Sequence, residues 1–176
     1  MARPASVVDS AQIEQERVNL DVAWRAHVAQ ENWATKVDAK ASIFLALDGV
    51  VVGAILAARA QKGSFIDVLG GWRASLLVVA LVICFVAALI AAVAIIPVLG
   101  RPRSRGTIYF GDLRCRQADD LAAQLATMTV RDQISQVSEQ LVAMARIAWL
   151  KHRLMQMAVA VAVIGYVLIM LVLLLH

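Results

Sequence analysis

Charge is scarce in this chain. Only 17% of its 176 residues are Asp, Glu, Lys or Arg, well below the roughly 25% of ordinary soluble domains. A conventional water-soluble surface over the whole length is therefore excluded. Cysteine is nearly missing as well. Cys84 lies inside an apolar run and Cys115 in a charged stretch, so there is neither a disulfide framework nor a metal-ligand spacing. Both are expected to be packing or surface thiols. The three histidines, His27, His152 and His176, are scattered. No nucleophile elbow, phosphate loop or paired-carboxylate arrangement is present, which argues against an enzyme, and neither a metal nor a cofactor is expected. Asp119 and Asp120 read as a solvated helix face. Strand alternation, internal repeats and low-complexity tracts are missing too. Glycine and proline are absent from Ala5 to Asp48, so nothing there interrupts a helix.

What the chain has in excess is apolar sequence, 61% of it. It collects in three runs, Ala41–Ala58, Leu76–Leu99 and Leu154–Leu175, of 18, 24 and 22 residues. A hydrocarbon layer of ~30 Å needs roughly 20 helical residues, so each run is long enough to cross it. The first and shortest also suits a buried core helix. The polar N-terminus leads us to expect no cleavable signal peptide, with insertion through the spans themselves. Lys and Arg number nine in 99–153, five in 1–40 and three in 59–73. The richer segments belong on the cytoplasmic side, with the connector and C-terminus outside. The net charge of +4 is then topology signal and attraction to anionic headgroups, not a footprint of nucleic-acid binding.

The expected fold is an all-α membrane protein of three transmembrane helices, with long cytoplasmic helical extensions forming a head. Residues 1–40 read as a cytoplasmic amphipathic helix with Ile13, Leu20, Trp24 and Val28 on its apolar face. Spans follow at 41–60, 76–99 and 154–175, separated by an outer connector at 61–75 and cytoplasmic loop and helices at 100–153. Within that last segment, Leu121, Leu125 and Met128 suggest a short amphipathic helix. Thr129 and Asp132 form a capping-box-like start for the next one. Val130, Ile134, Val137, Leu141, Met144 and Ala148 then repeat at 4-3-4-3-4, a heptad seam.

Four features carry candidate chemistry. Gly49, Gly53 and Ala57, extended by Ser42 and Ala46, form a stripe of small residues along the first span. Ala87 with Ala91, and Ala88 with Ala92, do the same in the second. Such rows let helices approach closely in lipid, within a protomer or between protomers, making a homo-oligomer. Asp48 lies about 100° from Gly49 and ~12 Å along the axis from Lys40. A carboxylate there is costly against lipid, so it is protonated, paired or facing water between helices. It is either a helix–helix hydrogen-bonding residue or a pore or gate element. Tyr166 is the other mid-span polar tip, and spacing does not place it against Asp48. Arg101, Arg103, Arg105, Arg114 and Arg116 with Tyr109 and Phe110 suit a phosphate and a stacked base, though arginines just inside a membrane also satisfy topology. Trp33 and Lys40 suit the inner membrane edge, where Asp38 can pair with a basic residue of another helix end.

Three segments in order, "VDAKAS" (37–42), "IYFGD" (108–112) and "ARIAWLKHRLM" (145–155), resemble the Pycsar transmembrane effector family of bacterial antiphage defence. The likeness covers roughly Trp24 to Leu175. It implies a chain that senses cyclic CMP or cyclic UMP, made by an infection-activated cyclase, and impairs the inner membrane to halt the infected cell. Asp38, Lys40, Tyr109, Phe110 and Gly111 match the family's recurrent positions. No β-roll nucleotide-binding pattern is present, so a nucleotide would sit among helices. Read from the residues alone, a small ion- or proton-coupled transport subunit using Asp48, or a ligand-free membrane scaffold using the heptad seam, stays open.

Overall fold

The computed structural model describes residues 5–61, 70–97 and 106–175, with side chains from Ser10 onward. Every regular element in them is a helix: α1 (Ala5–Ala60), α2 (Trp72–Ile95), α3 (Phe110–Leu113), α4 (Ala118–Thr127) and α5 (Val130–Leu174). The helices α1, α2 and α5 are each long and apolar enough to cross a membrane, as the three apolar runs predict. The chain forms two compact units. A head unit comprises Met1–Ala34 and Pro97–Ala148, and a span unit comprises Thr35–Ile96 and Trp149–His176.

The helix boundaries have local causes. The helix α1 runs unbroken to Gly49 because neither glycine nor proline occurs from Ala5 to Asp48. At the end of α2, Ile96 turns to ψ 129, the extended conformation favoured before a proline, here Pro97. At the start of α5, the Asp132 N–H donates to the Thr129 hydroxyl, while the Thr129 N–H donates to Asp132 Oδ2 at 3.0 Å. This reciprocal pair is a capping box, and it satisfies N–H groups that the first turn leaves without helical partners.

In the span unit, α2 turns one face inward: Leu77, Ala80, Cys84, Ala87, Ala91 and Ala94 are buried. Their 3-4 spacing makes one seam, and four of the six are alanine. Lipid tails are as apolar as leucine, so association there depends on close van der Waals contact, which small residues permit. A buried apolar cluster joins Leu77, Ala80 and Cys84 of α2 to Ile169 and Val172 of α5, with Val52, Ile55 and Ala58 of α1 against them. Gly165 marks the tightest approach. A Cβ placed there would lie 2.6 Å from Cys84 Sγ and 3.2 Å from the Ala80 carbonyl oxygen. Trp72 and Trp149 are exposed, with the Arg73 and Arg153 guanidinium groups 5.8 and 5.2 Å from their ring centres, an arrangement suited to membrane–water boundaries.

The small-residue stripe of α1 faces away from this packing. Ser42, Ala46, Gly49, Gly53 and Ala57 are all exposed, and a Cβ at Gly49 or Gly53 would meet nothing within 4 Å. Packing within the protomer is therefore not its use among the described residues. The row in α2 is different, with Ala87 and Ala91 buried and Ala88 and Ala92 half-buried.

In the head unit, the seam of α5 is the one the heptad spacing predicts: Val137 is fully buried, with Val130, Ile134, Leu141, Met144 and Ala148 half-buried. The predicted apolar face of α1 is not the buried one. Ile13, Trp24 and Val28 are 40–53% exposed. The inward face carries Leu20, Ala23, His27, Gln30 and Ala34, with His27 buried. The physical reason is rotational phase. These positions repeat at 3-4-3-4, and the same stripe of the helix continues through Val37, Ala41 and Asp48.

Candidate functional site

Two polar links join α1 to α5 inside the span unit. Asp48 is 1% exposed, on the inward face of α1 and off the small-residue stripe. The Tyr166 hydroxyl donates to its Oδ1 at 2.6 Å. The second link lies ten residues earlier on α1, where Lys151 Nζ donates to Asp38 Oδ1 at 2.6 Å. The Lys151 side chain is 9% exposed and that of Asp38 38%, so the ammonium is enclosed while the carboxylate keeps contact with the surroundings. The earlier α1 residue meets the earlier α5 residue in these two links, so the helices run parallel. The Ser42 hydroxyl returns a hydrogen bond to the Asp38 carbonyl at 2.9 Å. The Asp38–Lys151 pair joins "VDAKAS" to "ARIAWLKHRLM", so two of the three characteristic segments meet through their charged residues.

The third segment closes a tight loop in the head unit. Gly111 and Asp112 are buried, and the N–H groups of Asp112 and Leu113 both donate to the Tyr109 carbonyl. Gly106 lets the Asp112 side chain lie against the loop backbone: a Cβ there would be 1.9 Å from Asp112 Oδ2, so that side chain would have to shift. Gln136 of α5 anchors the loop by accepting from both the backbone N–H and the hydroxyl of Thr107, at 3.2 and 2.6 Å. Tyr109 is half-buried, and its ring centre is 4.7 Å from that of Phe110, which is 64% exposed. Beside the loop, α4 and α5 flank an open polar cleft of about 310 Å³ lined by Gln124, Thr127, Met128, Asp132, Ser135 and Gln136. The Arg116 guanidinium donates to Gln124 at this edge. Asp132 has its carboxyl pKa held below the ordinary value, first by the Thr129 hydroxyl and then by the Thr129 N–H.

The ligand candidates predicted from sequence fall into separate surroundings. Arg101, Arg103 and Arg105 lie outside the described residues. Tyr109, Phe110 and the exposed Arg114 belong to the head unit, whereas Asp38 and the exposed Lys40 belong to the span unit. Asp38 has a basic partner, but not at another helix end as expected: Lys151 lies within α5, and Asp38 itself lies within the unbroken α1. That partner, Lys151, counts only as topology charge in the sequence. Its signal was its place in the heptad seam, three residues after Ala148. Gln136 carried no such signal. Among the described residues, no cluster of His, Cys, Asp and Glu is arranged to hold a metal ion.

Comparison with known proteins supplies the context. The family of the Pycsar effector protein domain matches residues 22–176, a stretch that takes in both units. No curated protein and no solved structure matches the chain. The matched stretch includes all three characteristic segments and all three apolar helices, and the chain accordingly belongs to the Pycsar effector family, whose members are membrane-disrupting antiphage effectors that respond to a cyclic nucleotide.

Proposed function

We propose that this chain senses a cyclic pyrimidine nucleotide, cyclic CMP or cyclic UMP, and impairs the bacterial inner membrane, causing abortive infection. The observation that carries the reading is the family match over residues 22–176, which spans a polar helical head and three apolar helices. The excess of Lys and Arg in 1–40 and 99–153 supports a cytoplasmic head, with the C-terminus outside. Arg101, Arg103, Arg105 and Arg114 supply guanidinium groups suited to a cyclic phosphate. Tyr109 and Phe110 offer rings for the base, and Lys40 is a further exposed cation. Asp38 acts through Lys151.

A ligand shifts a conformational equilibrium only through its preference for one state. Moving a resting population from 1:99 to 99:1 takes about 10⁴-fold preference, which is about 100-fold per site in a dimer and about tenfold in a tetramer. Assembly thus makes the switch attainable with modest contacts. The exposed stripe of Ser42, Ala46, Gly49, Gly53 and Ala57 is the surface we assign to self-association.

The test is dye release from liposomes holding the full chain, with cyclic UMP, cyclic CMP and cyclic AMP added in turn. Release with one pyrimidine nucleotide alone is expected, and Gly53→Leu should abolish it without loss of insertion. Silence with every nucleotide, from inserted and helical protein, would overturn the reading in favour of a transport subunit or a scaffold.

A further inference from the structure

We propose that the Tyr166–Asp48 hydrogen bond is a catch that holds the spans in their closed packing, and that its release is the step at which the membrane begins to leak. The inference rests on the reading of this chain as a membrane-impairing effector, but not on the identity of the nucleotide. It begins with a residue that lipid does not tolerate alone. Asp48 is 1% exposed and sits on the packing face of α1, about 12 Å along the helix from Lys40. Among the described residues, its recorded hydrogen bond is the one from the Tyr166 hydroxyl, at 2.6 Å, and no ion pair reaches it. Donor and acceptor are 118 residues apart on different helices. The carboxyl group is therefore satisfied only while α1 and α5 hold one register.

That register is narrow. Turning either helix by one residue moves a side chain by about 100°, and sliding it by one turn moves it about 5.4 Å. Either motion separates a 2.6 Å contact. The residue next to Tyr166 is Gly165, pressed against Cys84 and the Ala80 carbonyl of α2, so all three spans bear on the position of the hydroxyl. The two arrangements open to Asp48 are discrete, one bonded across the seam and one seeking water. A buried polar group left unpaired is costly, whereas removing both partners together costs little. Opening the seam therefore draws water towards the carboxylate, and closing it restores the tyrosine bond.

This asymmetry sets the experiment. Full-length wild type, Tyr166→Phe and the double variant Asp48→Leu/Tyr166→Phe are placed in dye-filled liposomes. Insertion and helicity are checked, and leakage is read without nucleotide and then with cyclic UMP or cyclic CMP. Tyr166→Phe removes one oxygen and should leak without nucleotide about tenfold to a hundredfold faster than wild type, the scale set by leaving a buried polar group unsatisfied. The double variant should leak less than Tyr166→Phe, because no carboxylate remains to be stranded. Folded Tyr166→Phe that is as silent as wild type without nucleotide would overturn the catch. Should Tyr166→Phe fail to fold, the double variant decides alone: nucleotide-driven leakage equal to wild type would overturn the proposal, and reduced leakage would support it. Wild type silent with both nucleotides beside a leaking Tyr166→Phe would keep the catch and overturn the nucleotide reading instead.

Discussion

Asp38 and Lys151 form an unequal pair, and the inequality is measurable. Lys151 is enclosed at 9% exposure while Asp38 keeps 38%. Asp38→Ala leaves an ammonium group without its carboxylate in an enclosed position, and should cost about 1–3 kcal/mol. Lys151→Met keeps most of the stem that packs in the seam and leaves a carboxylate that still reaches its surroundings, so the loss should stay under about 1 kcal/mol. Thermal unfolding of both variants in one detergent checks the order, and equal losses would refute the asymmetry. Asp132 offers a pH test. Its folded-state pKa is lowered by Thr129, so the cap's contribution is present above the unfolded carboxyl value of about 3.9 and is lost as pH falls through the folded value. Hydrogen-exchange protection factors at the Thr129 and Asp132 amides should fall below about pH 4 in wild type and stay flat in Asp132→Asn.

At the scale of elements, the packing of α2 on α5 depends on what Gly165 lacks. A methyl group there would lie 2.6 Å from Cys84 Sγ, so Gly165→Ala should cost about 1–3 kcal/mol through overpacking. Cys84→Ala removes that sulfur, leaving the Ala80 carbonyl at 3.2 Å and Ile83 Cγ2 at 3.3 Å. The same glycine substitution should then cost less than half as much, a coupling that a double-mutant cycle of unfolding measurements would expose. The heptad seam of α5 was legible in the sequence because, from Val130 to Leu141, its apolar residues fall on one face and every residue between them is polar. The buried face of α1 in the head was not. Ile13, Trp24 and Val28 mimic a core face, while the true one carries His27 and Gln30 between small residues. Periodicity identifies a face by its polarity, and here the inward face is the more polar one.

For the whole molecule, the sequence by itself determined the class. Three apolar runs of sufficient length, no breaker from Ala5 to Asp48 and the Thr129–Asp132 cap specify three long helices, because helix length, termination and capping are local properties of the chain. The family was legible for a similar reason, since its segments are recognised one at a time. Tertiary structure alone decided what those segments do to one another. Asp38 with Lys151 and Asp48 with Tyr166 are 113 and 118 residues apart, and spacing along a helix gives a side chain's face but never its partner on another helix. The same limit applied to the small residues of α1, whose spacing allowed packing inside the protomer. They lie on the outer face because α1 turns towards its neighbours the stripe that holds Asp48, and a carboxylate in lipid constrains a helix's rotation more strongly than a row of glycine and alanine does.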